Sequence, residues 1–210
     1  GHLDQLDQLL AKAEKAKRKP ARSPKPKAQT LPASKLADEV EPLGFYKYVS
    51  ADQLADAKAE IDEGAYAWFL GAGRAFDADC ERLAEGGVKD LLDCMRSALK
   101  AEGFEVGNVE QSYDPEKGGY ILTIGADRHT MWSDNEAKKS WELTATRAAG
   151  LINQWLTNSG SHERVHLLNG GEDSVFVLLT PSMRDLIVKS GVFRSGDVPA
   201  PIDRGGFDVR

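Results

Sequence analysis

Residues 175–179, Val-Phe-Val-Leu-Leu, are apolar at five successive positions and constrain the fold more than any other stretch. A half-buried strand alternates apolar and polar residues, whereas a strand that is apolar on both sides needs cover on both faces. Residues 163–169 also favour a strand, and Gly170 and Gly171 between the two runs favour a tight hairpin turn. The sequence therefore predicts a hairpin whose second strand lies in the middle of a sheet.

The most regular helical pattern covers residues 136–157. Ser133 and Glu136 have the spacing of a capping box, which satisfies backbone N–H groups at the start of a helix. Apolar residues then recur at intervals of three and four, which places them on one face: Trp141, Ala145, Ala148, Ile152 and Trp155. The pattern predicts a long helix with one side in the core.

Three short strands are predicted at residues 109–113, 120–125 and 128–133. Their connections are too short for crossovers, so they favour an antiparallel meander. A helix over residues 88–99 precedes them, and a last helix opens at Pro181. From residue 88 onward the predicted order is α-β-β-β-α-β-β-α. This order indicates the α+β class, with helices packed on a mainly antiparallel sheet.

The stretch before residue 88 carries weaker patterns. Residues 44–50, Gly-Phe-Tyr-Lys-Tyr-Val-Ser, alternate aromatic and polar side chains and favour a strand. Ser50 and Gln53 favour the start of a helix. Residues 64–73 are mostly apolar, and we interpret them as a buried strand. Asp77 is expected to cap a short helix that follows.

The start of the chain differs from the rest in charge. Residues 1–30 hold eight Lys and Arg side chains and three Asp and Glu, so they carry about +5, whereas the remaining residues carry −11. Leucines at helical spacing predict an amphipathic helix over residues 3–19. Prolines and lysines in residues 19–35 predict an extended linker.

The predicted division is a basic arm over residues 1–35 and a single α+β domain over residues 36–210, with residues 43–87 as a candidate subdomain. Cys80 and Cys94 show neither zinc-site spacing nor a disulfide framework, so we interpret them as reduced core thiols. The sequence contains no apolar run near the roughly 18 residues that span a bilayer, and no signal-peptide core. We therefore expect a cytoplasmic protein without a membrane partner.

The turn at residues 170–173, Gly-Gly-Glu-Asp, is similar to motifs of two enzyme families. Diguanylate cyclases carry Gly-Gly-Asp-Glu-Phe in a hairpin, and thiamine-monophosphate kinases carry Gly-Gly-Glu-Asp before an apolar strand. Both resemblances imply magnesium bound by carboxylates that include acidic residues elsewhere in the chain. The upstream strands 120–125 and 128–133 supply no acidic partner, and a glycine-rich hairpin explains the turn conformationally.

Asp114, Glu116 and Lys117 resemble the motif of nucleases that place an Asp on one strand and Glu-x-Lys on the next. In those enzymes the carboxylates hold magnesium and the lysine polarises the attacking water. Here all three residues lie in one predicted turn, and Glu110 is the sole acid on the strand before it. A metal-dependent hydrolase or nuclease with carboxylates from the turns 110–117 and 172–173 stands as an alternative function.

Other chemistry-bearing residues indicate no catalytic centre. His129 and His166 are both predicted on strands and could meet across a sheet, but no carboxylate stands at a spacing that would complete a metal site. Arg74 lies in a glycine-rich stretch without the Gly-Lys-Ser/Thr end of a phosphate loop, and Gly-x-Ser-x-Gly does not occur. We predict no catalytic residue, no metal and no cofactor, and we leave the question of an enzyme open, leaning against one.

The sequence favours a non-enzymatic protein-binding domain. Its acidic body suits a basic partner, such as a toxin or enzyme that an inhibitor or bacterial immunity-type protein neutralises. The candidate partner-binding residues are acids in predicted turns and one tryptophan expected on an exposed rim: Glu110, Asp114, Glu116, Trp132, Asp134, Glu172 and Asp173. A nucleic-acid adaptor acting through residues 12–27 is a further alternative, weakened because that segment has no aromatic side chains for stacking.

Overall fold

The computed structural model describes residues 31–113, 119–169 and 173–202. The α-helices of these parts are α1 (Ala33–Val40), α2 (Leu54–Ala59), α3 (Ala65–Gly71), α4 (Cys80–Arg82), α5 (Val88–Ala101), α6 (Ser140–Asn158) and α7 (Pro181–Ser190). The strands are β1 (Ala75–Asp77), β2 (Val109–Tyr113), β3 (Gly119–Ile124), β4 (Asp127–Ser133), β5 (Arg164–Leu168), β6 (Val175–Leu179) and β7 (Ala200–Pro201). Short 3-10 helices cover Glu41–Leu43, Glu60–Glu63, Asp134–Lys139 and Ser195–Asp197, and a π-helix, Leu83–Gly87, joins α4 to α5.

The strands form two antiparallel sheets. One has the order β1-β6-β5-β7 and the other has the order β2-β3-β4. All five residues of β6 are buried, and the strand lies between β1 and β5, as its apolar sequence predicts. The α+β class, the hairpin, the meander and the element order from residue 88 are confirmed. The strands nevertheless form two sheets where the sequence suggested one.

The four-stranded sheet separates two hydrophobic clusters. Phe176 and Leu178 of β6 pack on one face with α5, α6 and the three-stranded sheet. Val175, Val177 and Leu179 pack on the other face with α1, α3 and α7. Helices α5 and α6 contact strands of both sheets, so the layers follow the order helix, sheet, helix, sheet. This arrangement covers β6 on both faces.

Residues 44–50 form consecutive turns, so the predicted strand is wrong. Gly44 ends the first 3-10 helix with φ 82°, a left-handed conformation that glycine adopts without steric cost. The amide of Lys47 then donates to the carbonyl of Gly44 at 3.2 Å, and the amide of Val49 donates to the carbonyl of Tyr46 at 3.0 Å. These local hydrogen bonds stand in place of the hydrogen bonds to a neighbouring strand that a β-strand would form.

Residues 65–71 form helix α3, so the predicted strand over 64–73 is also wrong. The buried positions are Ala65, Trp68, Phe69 and Ala72, which follow the helical spacing of three, four and seven residues. The residues between them are also apolar, and this uniform composition hides the helical period. Gly73, with φ 67°, then turns the chain from α3 toward β1.

The ends of the longer helices agree with the sequence. Ser133 and Glu136 form the predicted capping box, in front of the 3-10 turn that leads into α6. Arg147 of α6 donates to both Glu136 carboxylate oxygens, and this interaction, with that of Ser133, lowers the pKa of Glu136 to about 2. Thr180 caps α7 and Pro181 opens it, as predicted.

The folded part reaches back to Leu31, whose amide donates to the carbonyl of Ser190 at 2.9 Å. Residues 33–35, at the end of the predicted linker, already belong to α1. The division at residue 36 stays a prediction, because residues 1–30 lie outside the described residues. Both cysteines are free, but Cys94 is exposed, so its interpretation as a core thiol is wrong, whereas Cys80 is buried as expected.

A buried ionic cluster connects distant segments beside the four-stranded sheet. Arg74, which stands between the end of α3 and the start of β1, is completely buried. Its guanidinium donates to the carbonyls of Gly44 (2.8 Å), Phe45 and Leu178 (2.6 Å) and to Glu163 at 3.1 Å. One side chain therefore joins the turn at 44–49, strand β6 and the residue before β5.

Two further charged side chains complete the cluster. The ammonium of Lys47 lies 2.8 Å from Glu163 and 2.6 Å from Glu102. Burial alone would raise the pKa of Glu102, but hydrogen bonds from Lys47, Ser161 and Tyr48 outweigh burial and lower it. Two cations and two carboxylates thus balance each other, with Arg74 and Glu163 buried at the centre and Lys47 partly exposed at the edge.

Replacing Glu163 with Gln should lower the free energy of unfolding by about 3 kcal/mol, because Arg74 and Lys47 would lose their shared counter-charge. Urea denaturation at pH 7 measures the difference. Glu110→Gln, at an exposed carboxylate of β2, is the matched control and should change stability by less than about 0.5 kcal/mol. A Glu163 variant as stable as the wild type would contradict the role given to the cluster.

Candidate functional site

Helix α3 exposes two large apolar side chains one turn apart. Among the described residues, four such side chains are exposed, and two of them, Tyr66 (48%) and Leu70 (52%), lie on α3. Their spacing of four residues places them on the same face of the helix. Because neighbouring apolar side chains that remain in water often mark a contact surface, this face is the candidate site.

The opposite face of α3 is anchored in an aromatic cluster. Trp68 stacks on Phe45 with ring centroids 4.3 Å apart, and its indole N–H donates to the hydroxyl of Tyr46 at 2.8 Å. Phe69 and Phe193 complete the cluster, with their centroids 6.4 Å apart. Each such ring contributes a large apolar area to the core. The cluster fixes which face of α3 points outward.

Clefts lie on both sides of the exposed residues. A cleft of about 620 Å³, at the end of β1 and beside the β5–β6 hairpin, is lined by Tyr66, by the three carboxylates of Asp77, Asp79 and Asp173, and by one cation, Arg82. Tyr66 also borders a cleft of about 330 Å³ with Glu63 and Asp197. Leu70 borders a third, of about 310 Å³, with Asp56 and Glu60. The two apolar side chains therefore project from an acidic surface.

We use the name α3 surface for these nine side chains: Tyr66, Leu70, Asp56, Glu60, Glu63, Asp77, Asp79, Asp173 and Asp197.

Arg82 is the cation that lines the largest of these three clefts, and it pairs with one carboxylate of the α3 surface. Asp77 pairs with Arg82 at 3.1 Å, and Arg82 also reaches Asp90 at 3.4 Å. Within the described part of the chain, the other six carboxylates of the α3 surface form no ion pair. The surface therefore carries net negative charge that is available to a cationic ligand.

The structure separates the acidic residues that the sequence singles out. Glu110 lies on β2 opposite Thr123, and Asp134 follows β4 at the other end of the same sheet. Asp173 lies in the cleft beside Tyr66. Asp114, Glu116 and Glu172 lie outside the described residues. The α3 surface thus includes one described acid from the predicted set, Asp173.

Trp132 is buried, so its predicted place on an exposed rim is wrong. Its exposed fraction is 6%, and its indole N–H donates to the carbonyl of Ala84 at 2.9 Å. The residue belongs to the cluster between the sheets, where its indole is bonded to the π-helix that leads into α5. Trp132 therefore stabilises the core and is not available to a partner.

The alternative of a metal-dependent hydrolase depends on carboxylates that the structure describes in part. Glu110 and Asp173 belong to different sheets, and the remaining acids of that hypothesis lie outside the described residues. Among residues 31–113, 119–169 and 173–202, no three His, Cys, Asp or Glu side chains are grouped so that they could hold a metal ion. The described helices also include none with the length and apolar character of a membrane span.

Sequence reasoning missed Tyr66, Leu70 and Arg74 as residues of interest. Tyr66 and Leu70 were assigned to a buried strand, in which neither would be distinguished from its neighbours. If residues 65–72 are instead interpreted as a helix, Tyr66 and Leu70 fall on the face opposite Trp68. Arg74 was assigned to a turn, and its buried partners are too far away in sequence to be recognised.

The two strand histidines lie in different sheets, so the expectation that they could meet is wrong. His129 is on β4, and His166 is on β5 between Val177 and Pro201. His166 is buried, with an exposed fraction of 6%. Burial and the positive charge of Arg184 lower the pKa of His166 to about 4, and the backbone of Leu179 offsets part of this effect. His166 is therefore neutral at pH 7.

No protein-family model, curated protein or solved structure matches this chain.

Protonation of His166 should make stability fall between pH 6.5 and pH 4. The unfolded histidine titrates near pH 6.5, and the folded one near 4, so the unfolded state binds the proton first as the pH falls. The resulting loss, complete below pH 4, is on the order of 3 kcal/mol.

Urea denaturation at pH 7, 6, 5 and 4 tests this expectation. In the His166→Leu variant, the free energy of unfolding should fall much less between pH 6.5 and pH 4 than in the wild type. The His129→Gln variant, changed on the other sheet, should show the same fall as the wild type. Identical pH dependence in wild type and the His166 variant would refute the assignment.

Proposed function

We propose that this protein is a binding domain that recognises a Lys- and Arg-rich segment of another protein through the α3 surface. The observation that carries the proposal is the position of Tyr66 and Leu70, exposed side by side among seven carboxylates, six of which form no ion pair with a described residue. An inhibitor or immunity-type protein that covers a basic site on a toxin or enzyme is one form of this function.

The apolar residues supply a centre for such an interface. Interfaces have an apolar centre and a polar rim, and tyrosine is enriched among the residues that contribute most to binding. Tyr66 stands between two clefts, so a partner side chain can approach it from either side. The rigid aromatic cluster beneath α3 holds both side chains in place before binding, which reduces the entropic cost of association.

The surrounding acids determine the kind of partner. Asp56 and Glu60 border Leu70, and Glu63, Asp173 and Asp197 border Tyr66. An anionic rim accelerates encounter with a cationic segment and disfavours an acidic one. It also repels the phosphates of nucleic acids. The partner expected is therefore a basic polypeptide with apolar residues among its cations.

Selection of peptides from a random displayed library on the full-length protein tests this function. We expect selected peptides to be rich in Lys and Arg. Joint replacement of Tyr66 and Leu70 with Ser should weaken the best peptide by more than tenfold, because each truncation removes roughly 1 kcal/mol or more of contact. Fluorescence anisotropy measures the affinity.

The remaining two exposed apolar residues of the described parts provide a matched control. Leu43→Ser with Val188→Ser removes similar side chains away from the α3 surface and should leave the affinity unchanged. Acidic or uncharged selected peptides, or equal affinity for wild type and the Tyr66/Leu70 variant, would refute the proposal.

A further inference from the structure

The first residues of this chain combine leucines with Lys and Arg, which is the composition expected of a ligand of the α3 surface. Residues 3–19 carry leucines at positions 3, 6 and 10, and residues 12–27 carry eight Lys and Arg and one Glu. The leucine spacing predicts an apolar stripe on a helix, which is marginal alone and needs a surface to pack on. The leucines of the arm are therefore complementary to Tyr66 and Leu70, and its Lys and Arg side chains are complementary to the carboxylates of the α3 surface.

The arm joins the folded part close to α3. The amide of Leu31 donates to the carbonyl of Ser190, and Phe193, three residues later, contacts Trp68 and Phe69 of α3 with ring centroids 5.6 and 6.4 Å apart. Three residues span at most about 11 Å. Leu31 therefore begins the described part of the chain beside the segment that packs Phe193 against the buried face of α3.

The linker is long enough for residues 3–19 to reach this surface. Residues 20–30, extended, span up to about 36 Å, and a helix over residues 3–19 would be about 26 Å long. A segment tethered at this length has an effective concentration near the millimolar range. Even a weak contact would thus be occupied for much of the time.

We infer that the basic arm of this same chain, residues 3–27, docks on the α3 surface. Its leucines contact Tyr66 and Leu70, and its cations face the carboxylates around them. The inference rests on the proposed function, because it uses the same surface. An external basic partner then has to displace the arm, so the docked arm lowers the apparent affinity for that partner.

Zero-length carbodiimide cross-linking of the full-length protein, followed by mass spectrometry, tests the contact. We expect amide links between arm lysines and Asp56, Glu60 or Glu63, in a yield that does not change on tenfold dilution. Leu6→Asp with Leu10→Asp, or Tyr66→Ser with Leu70→Ser, should reduce these links at least fivefold. Leu43→Ser with Val188→Ser is the control and should retain them.

Several outcomes would overturn the inference. Links spread equally to Glu110 and Asp134, which are exposed acids on the other sheet, would show that the arm does not select α3. Links confined to covalent dimers would show that the occupant is a second copy. Retention on immobilised DNA that is equal in wild type and the Tyr66/Leu70 variant would show an arm that is free to bind a polyanion.

Peptide affinity separates failure of this inference from failure of the proposed function. Leu6→Asp with Leu10→Asp should bind the selected basic peptide at least fivefold more tightly than wild type, because the competing arm is released. Unchanged affinity would overturn the docked arm and leave the binding function intact. If neither protein binds any basic peptide, the proposed function fails, while the cross-links still decide the arm.

Discussion

The buried guanidinium of Arg74 is the constraint on which the arrangement around α3 depends. A charge without access to water needs compensation from every side, and Arg74 receives it from three carbonyls and Glu163. Those groups come from the turn at 44–49, from β6 and from the residue before β5. Because Arg74 stands in the short connection between α3 and β1, the same bonds fix the chain at the C-terminal end of that helix against the sheet.

The exposed surface follows from this anchoring. Trp68 of α3 packs against Phe45 and Phe193, and these contacts fix the orientation of the helix. Tyr66 and Leu70, on the opposite face, therefore remain exposed to solvent. The acids around them come from separate segments of the chain, which the fold brings to one side. A rigid apolar pair inside a ring of carboxylates favours cationic polypeptides, so the physical basis of the proposed recognition is charge with a preorganised apolar centre.

Local sequence patterns predict the elements that show a regular spacing of apolar residues or a helix-capping motif. The apolar run of β6, the stripe and capping box before α6, and the Thr180-Pro181 start of α7 each determine their own element. The uniformly apolar residues 64–73 have no visible period, and the alternating residues 44–50 are governed by Gly44 and by contacts with Arg74. Both were predicted as strands for that reason.

The candidate site was much harder to predict than the fold. The four partners of Arg74 lie 29, 30, 89 and 104 residues away in the sequence, and no local pattern connects them. Exposure of Tyr66 follows only from knowing that α3 is a helix with Trp68 inside. Acidic composition indicates a basic partner, but the acids that it singles out include Glu110, which lies on the three-stranded sheet and outside the α3 surface.

Backbone amide chemical shifts of the full-length protein, recorded while a selected Lys-rich peptide is added, test the central claim most directly. The largest shift changes are expected on residues 56–71 and on Asp77, Asp79 and Asp173. The amide shifts of Glu110 and Asp134 should not change. Saturable changes centred on the three-stranded sheet would contradict the claim that α3 carries the recognition surface.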